Sequence, residues 1–251
     1  MATEESGTAV PRALRGTAAV VLDTDGVITD SARVHAAAWK TAFDAFLQER
    51  RSDGPREQRP FDLRDDYLRY VDGKSRLDGA ASFLSSRGLR LTEAEVQAVA
   101  DHKERLFTER LREHGIDAYP GTVRLLRTLH HSGIPLAAAS ASRHARELLE
   151  HAGVLDLFDA LVDGGEAARL HLPGKPDPAL FLEATRRLGV PAARAAVVED
   201  ALAGVEAGRR GGFGLVIGVD RTHAPGTRAA LLKHGADLVV DDLAELLAPE
   251  D

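Results

Sequence analysis

The sequence predicts a doubly wound parallel α/β sheet with an all-helical segment inserted after its first strand. Three observations lead there. Short apolar runs alternate with longer amphipathic stretches, the pattern of βα units. Glycines stand where the helices of such units end, at Gly133, Gly153, Gly189 and Gly211. From Ser31 to about His114 the alternation stops and only helical periodicity remains.

Taken in order, the opening MATEESGTAVPRALRG is polar and lacks the apolar run of a secretory leader, so Met1 to about Arg15 is expected to be a loose tail. Residues 18–22 form the first expected strand. Trp39, Phe43, Phe46 and Leu47 share one face of a helix, and residues 77–86 and 92–113 repeat that periodicity. Between them RRSDGPREQRP, residues 50–60, is a polar Gly/Pro loop. Tyr119-Pro120-Gly121 marks the return to the sheet. Strands are expected at 134–139, 160–162, 195–198, 215–219 and 237–240. Helices are expected at 122–131, 144–152, 178–188, 201–210 and 227–234. The division is a tail over 1–15, a catalytic core over 16–30 and 115–251, and a helical cap over 31–114. Gly211-Gly212-Phe213-Gly214 precedes a strand, and Ile217 stands where a third glycine would be needed, so it is a turn and not a dinucleotide site.

The 251 residues suffice for such a core plus a smaller unit. A formal charge of −7 without a dense Lys/Arg patch argues against a nucleic-acid partner. The absence of cysteine excludes disulfides and thiolate metal sites. No apolar run approaches the ~18 residues of a membrane helix. A cytoplasmic monomer without membrane or nucleic-acid partners is the expectation.

Chemistry gathers where the apolar runs end. VVLDTDGVITD sets Asp23 and Asp25 after the first strand. Ser140 follows the second, Lys175 lies in the loop PGKPD, and Glu199 and Asp200 follow the fourth. In an open parallel sheet the C-terminal strand ends border the ligand crevice, so these groups are expected to converge. Asp23, Glu199 and Asp200 are hard oxygen donors suited to Mg²⁺. Residues i and i+2 of a strand point the same way, so Asp23 and Asp25 can address one substrate as nucleophile and proton carrier. Gly26 lets backbone N–H groups approach a phosphate. Ser140 and Lys175 supply a hydroxyl and a charge for phosphoryl oxygens. Each residue also has a plainer explanation: a turn or calcium-like loop for DxDG, a solvated loop for Lys175, a strand-end serine for Ser140, a helix cap for Glu199-Asp200. Their order along the chain favours a site.

With these four motifs the chain resembles the haloacid dehalogenase superfamily, from Ala18 to about Asp242. SARVHAAAWK (Ser31, His35, Trp39, Lys40), Gly73-Lys74-Ser75-Arg76, Tyr119-Pro120-Gly121, Ala139-Ser140-Ala141-Ser142 and Glu199-Asp200-Ala201-x-x-Gly204 make it most similar to the β-phosphoglucomutase-like subfamily. The resemblance implies a Rossmann-like core with a helical cap. It makes Asp23 the phosphorylated residue and Asp25 the general acid/base. Mg²⁺ would be held by Asp23, the Asp25 main-chain carbonyl, Glu199 and Asp200. Ser140, the Ala141 N–H and Lys175 would hold the phosphoryl group in transit. Arg76, Ser142, Arg143 and His144 would hold a second phosphate of the sugar. His35 and Lys103 would couple cap closure to binding, while Trp39 is a packed cap residue. The pattern departs from the subfamily at Thr24, at Arg143-His144 where a Lys-Asn pair is usual, and in the long loop 50–60.

The implied reaction interconverts β-glucose 1-phosphate and glucose 6-phosphate through a bisphosphate. Because Asp25 must alternate between base and acid, a modestly raised pKa is expected there. A sugar-phosphate phosphatase using the same aspartates is the nearest alternative. A phospho-aspartate signalling receiver is more distant, since a receiver carries no cap and phosphorylates after its third strand. A non-catalytic binding protein would not need the full acidic set.

Overall fold

The computed structural model describes residues 10–50 and 59–247. In chain order its elements are β1 (Ala19–Leu22), α1 (Ala32–Glu49), a π turn (Tyr67–Val71), α2 (Arg76–Ser86), α3 (Glu93–His114), α4 (Pro120–His131), β2 (Leu136–Ala139), α5 (Ala145–His151), β3 (Ala160–Val162), α6 (Gly164–Arg169), α7 (Ala179–Leu188), β4 (Ala195–Glu199), α8 (Leu202–Arg210), β5 (Leu215–Val219), α9 (Thr227–His234) and β6 (Leu238–Val240). The six strands pair in parallel in the order β3-β2-β1-β4-β5-β6. The expected doubly wound sheet is therefore present.

Why these runs form strands is visible in their two faces. Val20, Leu22, Leu136, Ala138, Ala196 and Val198 pack into one apolar layer with Leu125, Leu126 and Leu129 of α4. The alternate residues Ala19, Val21, Ala137, Ala139, Ala195 and Val197 pack into another with Phe181 of α7 and Val205 of α8. A strand covered on both faces must be apolar at every position, which is why the sequence shows runs here and no alternation.

The insertion between β1 and α4 has its own aromatic core. Phe43 lies 4.7 Å from Trp39, 5.0 Å from Phe61 and 4.2 Å from Phe83, centroid to centroid. α3 starts at a reciprocal cap in which Thr92 and Glu95 satisfy each other's backbone amides. The insertion leaves and re-enters through two hydrogen-bonded segments: Asp30 N–H donates to Asp117 O at 2.9 Å, and Tyr119 N–H to Ile28 O at 2.9 Å. Phe107 and Leu111 of α3 pack on Leu148 of α5, seating the insertion against the sheet domain.

Several boundaries differ from expectation. The second strand starts at Leu136 because the Ile134 amide closes α4 on Leu129 O and Pro135 has no N–H. The fourth gains Glu199, which pairs with Gly218. The short α6 was not expected; it has no apolar stripe and is set by Asp163, whose carboxylate caps Gly165 and Glu166. The tail is not loose as far as Arg15, since a 3₁₀ turn at Arg12–Leu14 buries Leu14 in the sheet core; residues 1–9 lie outside the described residues, as do 51–58 of the polar loop. Among the described residues no helix is long and apolar enough to cross a membrane.

Candidate active site

β1 lies between β2 and β4, and the chain winds outward from it in both directions, so the carboxyl ends of β1 and β4 frame the switch-point crevice. Asp23 follows β1, where its N–H donates to Val198 O at 3.0 Å; Glu199 ends β4 beside it. Lys175, in the loop before α7, donates to Asp23 Oδ1 at 2.5 Å and Glu199 Oε1 at 2.6 Å. Its side chain is 1 % exposed, which removes the solvated-loop explanation. The Asp25 N–H donates to Asp23 Oδ2 at 2.9 Å, so both Asp23 oxygens are engaged. The Ser140 hydroxyl donates to Asp25 Oδ2 at 3.2 Å and accepts from the Ser142 N–H at 3.1 Å. α8 is capped by Ala201 without a side-chain bond; Glu199 Oε2 instead accepts the Ala201 N–H at 2.6 Å while its other oxygen holds Lys175.

Two glycines make this convergence sterically possible. At Gly26, with φ +80°, a Cβ would fall 1.8 Å from Asp200 Oδ2, and at Gly204 it would fall 1.7 Å from Glu199 Oε1. The DxDG turn is thus shaped around the late acidic pair.

The insertion supplies the opposite wall. His35 of α1 meets Asp25 Oδ1 through Nε2 at 3.1 Å, and its Nδ1 lies 2.8 Å from Lys103 Nζ of α3. Since Lys103 has only protons to give, Nδ1 accepts and the Nε2–H donates to Asp25, which fixes the neutral tautomer. His35 stacks on Phe107 with centroids 4.0 Å apart, and Ser31 also donates to Asp25 Oδ1. Arg76 at the start of α2 pairs with Asp101 at 2.5 Å. Trp39 is buried beside Phe43 and Lys103, as a packing residue.

Asp23, Asp25, His35, Arg76, Lys103, Ala141, Ser142, Arg143, Lys175, Glu199 and Asp200 wall one cavity of about 210 Å³. Ser140 and His144 do not; Ser140 supports Asp25 from behind. His144, expected at the phosphate, instead joins Glu104 of α3 at 2.9 Å and Glu147 at 3.2 Å, tying the insertion to α5. Arg143 is exposed at the rim. Sequence reasoning missed Tyr67, Asp72 and Glu104 as wall residues. Tyr67 opens the π turn and Asp72 closes it, and Gly73 (φ +69°) brings that turn onto the core, where a Cβ would fall 2.8 Å from Ala201 Cβ.

The charges follow from burial. Burial pushes Asp23 up to about 8 against the pull of Lys175, with Glu199 and Asp25 adding to the rise. Burial and neighbouring acids, Asp72 first, push Asp200 well up. Lys175 is held above its ordinary value because Asp23 and Glu199 outweigh its burial. Burial alone would raise Asp25, but His35, Ser31 and Lys103 outweigh it and hold the carboxyl well below the usual range. The expected raised pKa is thus not found at Asp25. Burial, then the charge of Lys103, lowers His35. Burial lowers Lys103 to about 8.

Among the described residues no three Asp, Glu or His side chains surround one point as formed ligands; Lys175 bridges Asp23 and Glu199. The donor set nonetheless fits a hard divalent cation. Asp23, Asp25, Asp72, Glu199 and Asp200 all face the cavity, their donors are oxygen only, and thiolates are absent from the chain.

A doubly wound sheet with paired aspartates after β1, a buried lysine and a late acidic pair at one switch point defines an enzyme of phosphoryl transfer. The haloacid dehalogenase-like hydrolase family model matches residues 17–212, and the chain belongs to that family, in its β-phosphoglucomutase-like branch. It is 41 % identical over 238 residues to the β-phosphoglucomutase of Mycobacterium tuberculosis, covering 91 % of each chain. It is 30 % identical over 226 residues to a phosphorylated carbohydrates phosphatase of Thermotoga maritima, covering 88 % of this chain and 93 % of that one. The crystal structure of the β-phosphoglucomutase of Clostridium difficile superposes with a TM-score of 0.71 at 27 % identity, covering 92 % and 93 % of the two chains.

Proposed function

We propose that the chain is a Mg²⁺-dependent phosphotransferase that works through an aspartyl phosphate on Asp23 and interconverts β-glucose 1-phosphate and glucose 6-phosphate. The observation that carries this reading is the enclosed line Lys103–His35–Asp25, which joins a proton-carrying carboxylate to the domain that covers it. A hydrolase on the same aspartates admits water to its aspartyl phosphate, with Asp25 taking the proton. A transferase must exclude water until a sugar hydroxyl arrives, and an acid–base group completed by the covering domain favours that order.

In this scheme phosphorylated Asp23 gives its phosphoryl group to the C6 hydroxyl while Asp25 takes the hydroxyl proton. Held below the usual carboxylate range, Asp25 is ionised and has an oxygen free of its proton to act first as base. The bisphosphate then turns round. Asp23 accepts the C1 phosphoryl group, and Asp25 returns its proton to the departing O1. Lys175 and the Ala141 N–H hold the group in transit, with Ser140 supporting Asp25 behind them. Arg76, Arg143 and Ser142 hold the other phosphate, with Lys103 adding charge. Asp23, Glu199, Asp200 and the Asp25 carbonyl would hold Mg²⁺, which when bound neutralises phosphoryl oxygens.

A phosphatase reading is supported by the Thermotoga relative. The two separate in one assay: supply β-glucose 1-phosphate, Mg²⁺ and a trace of glucose 1,6-bisphosphate, then follow glucose 6-phosphate against inorganic phosphate. Glucose 6-phosphate as the main product is the expected result. Phosphate release in excess of it would overturn the transferase reading.

A further inference from the structure

Arg221, just beyond β5, carries no motif and does not wall the cavity, yet all five of its N–H groups are used. Nε donates to Gly26 O at 3.2 Å; Nη1 donates to Asp241 O at 3.2 Å and Asp242 Oδ2 at 2.6 Å; Nη2 donates to Val27 O at 3.2 Å and Thr122 Oγ1 at 3.0 Å. The guanidinium lies 3.7 Å above the Tyr119 ring, and that phenol donates to Asp30 Oδ1 at 2.9 Å. The Thr122 hydroxyl in turn donates to Val27 O at 2.8 Å. Gly121 keeps Asp242 close, since a Cβ there would fall 1.7 Å from Asp242 Oδ1.

Three parts of the chain meet on this one side chain. The turn after Asp25 is held at both ends of Gly26, whose N–H donates to Thr29 O at 2.8 Å and whose carbonyl accepts from Arg221. The segment by which the insertion returns is held through Tyr119 and Thr122. The stationary part is the loop after β6, at Asp241 and Asp242. Only a planar fork with five donors satisfies these acceptors together; a lysine has three donors on one atom.

We infer that Arg221 is a positioning residue: it locks the peptide after Asp25 and the joint of the insertion to one fixed anchor on the sheet. The carboxylate that moves the proton and the domain that closes over it are then held in common register. This rests on the reading of Asp25 as the proton carrier, but the anchoring is measurable without it. Substrate-binding groups such as Arg76 and Lys175 are untouched by its loss. The expected signature is a fall in kcat with KM preserved, and a misplacement near 1 Å can cost about a hundredfold.

The test uses Arg221→Met and Arg221→Lys in the full chain. Turnover is read on β-glucose 1-phosphate with Mg²⁺ and, separately, on 4-nitrophenyl phosphate; amide hydrogen exchange is read on the protein without substrate. Arg221→Met is expected to lower kcat by roughly thirtyfold or more while KM changes less than about threefold, with Lys restoring little. Exchange is expected to quicken in residues 24–30 and 116–122 and to stay unchanged in α7 and α8. If Arg221→Met fails to fold, Thr122→Val removes one acceptor and is expected to give the same pattern at about fivefold in kcat. Unchanged kcat, a loss in KM alone, or exchange that quickens uniformly would overturn the proposal. Absence of turnover of the sugar phosphate by the unsubstituted protein, with the exchange pattern as expected, would overturn the substrate reading instead.

Discussion

Lys175 and Lys103 are both buried lysines in the wall of one cavity, and their surroundings differ. Lys175 touches two carboxylates, and its proton is held more tightly than in water. Lys103 touches a neutral imidazole and lies 4.8 Å from the Phe107 ring centroid and 3.9 Å from Glu104, so burial prevails and its pKa falls to about 8. The sheet wall thus carries a locked charge fixed between strand ends. The insertion wall carries a labile one, on a helix that approaches from outside. A locked charge suits the phosphoryl group in transit; a labile one suits a part that must close and open.

The strongest way to break this contrast is at Lys175. Lys175→Met leaves Asp23 and Glu199 buried without a counter-charge, so stability is expected to fall by about 3–5 kcal/mol in metal-free protein. Turnover is expected to fall by about a thousandfold or more. Urea melts and steady-state rates check both; if turnover survives, the locked charge is not part of the chemistry.

Lys103 sharpens the comparison through pH. Folding takes this group from 10.5 to about 8, so between those values the unfolded chain binds the extra proton and stability contributed by this site rises with pH. Activity is expected to move the other way, declining as Lys103 loses its charge above about 8. Lys103→Met is expected to lower kcat/KM by about tenfold at neutral pH and to flatten that alkaline limb. An unchanged pH profile in the variant would show that another group sets it.

The smallest expected effect lies on the sheet side, at the residue between Asp23 and Asp25. Thr24 is fully buried and its hydroxyl has no hydrogen-bond partner among the described residues. Thr24→Val keeps the shape and removes the unpaired group, so a gain of about 1 kcal/mol with kcat little changed is expected in thermal and urea melts.

How much of this was legible in the sequence divides along the same line. Asp23, Asp25, Ser140, Glu199 and Asp200 could be read because each stands at the carboxyl end of a strand buried on both faces, and a parallel sheet brings strand ends together whatever the loops do. Lys175, in a loop between α6 and α7, was readable only from its place in the order of the motifs. The insertion side was readable only through the family pattern. Tyr67 opens a π turn and Asp72 follows it, a segment with no periodic signal, and their place beside the acidic pair depends on how the insertion docks. His144 was expected at the phosphate because the resemblance implies a phosphate-binding residue at its position. The residue that captures it, Glu104, sits forty residues earlier and one position after Lys103 on α3. Arg221 gave no signal, because its partners are mostly backbone carbonyls, which any sequence supplies.

The central claim is that Asp23 carries the phosphoryl group. Acid quenching during turnover of β-glucose 1-phosphate, borohydride reduction of the acyl phosphate and peptide mass analysis test it directly. The modification is expected at Asp23 in the active protein and absent in Asp23→Asn. Continued turnover with Asp23 unmodified, or with the label on another residue, would contradict the account.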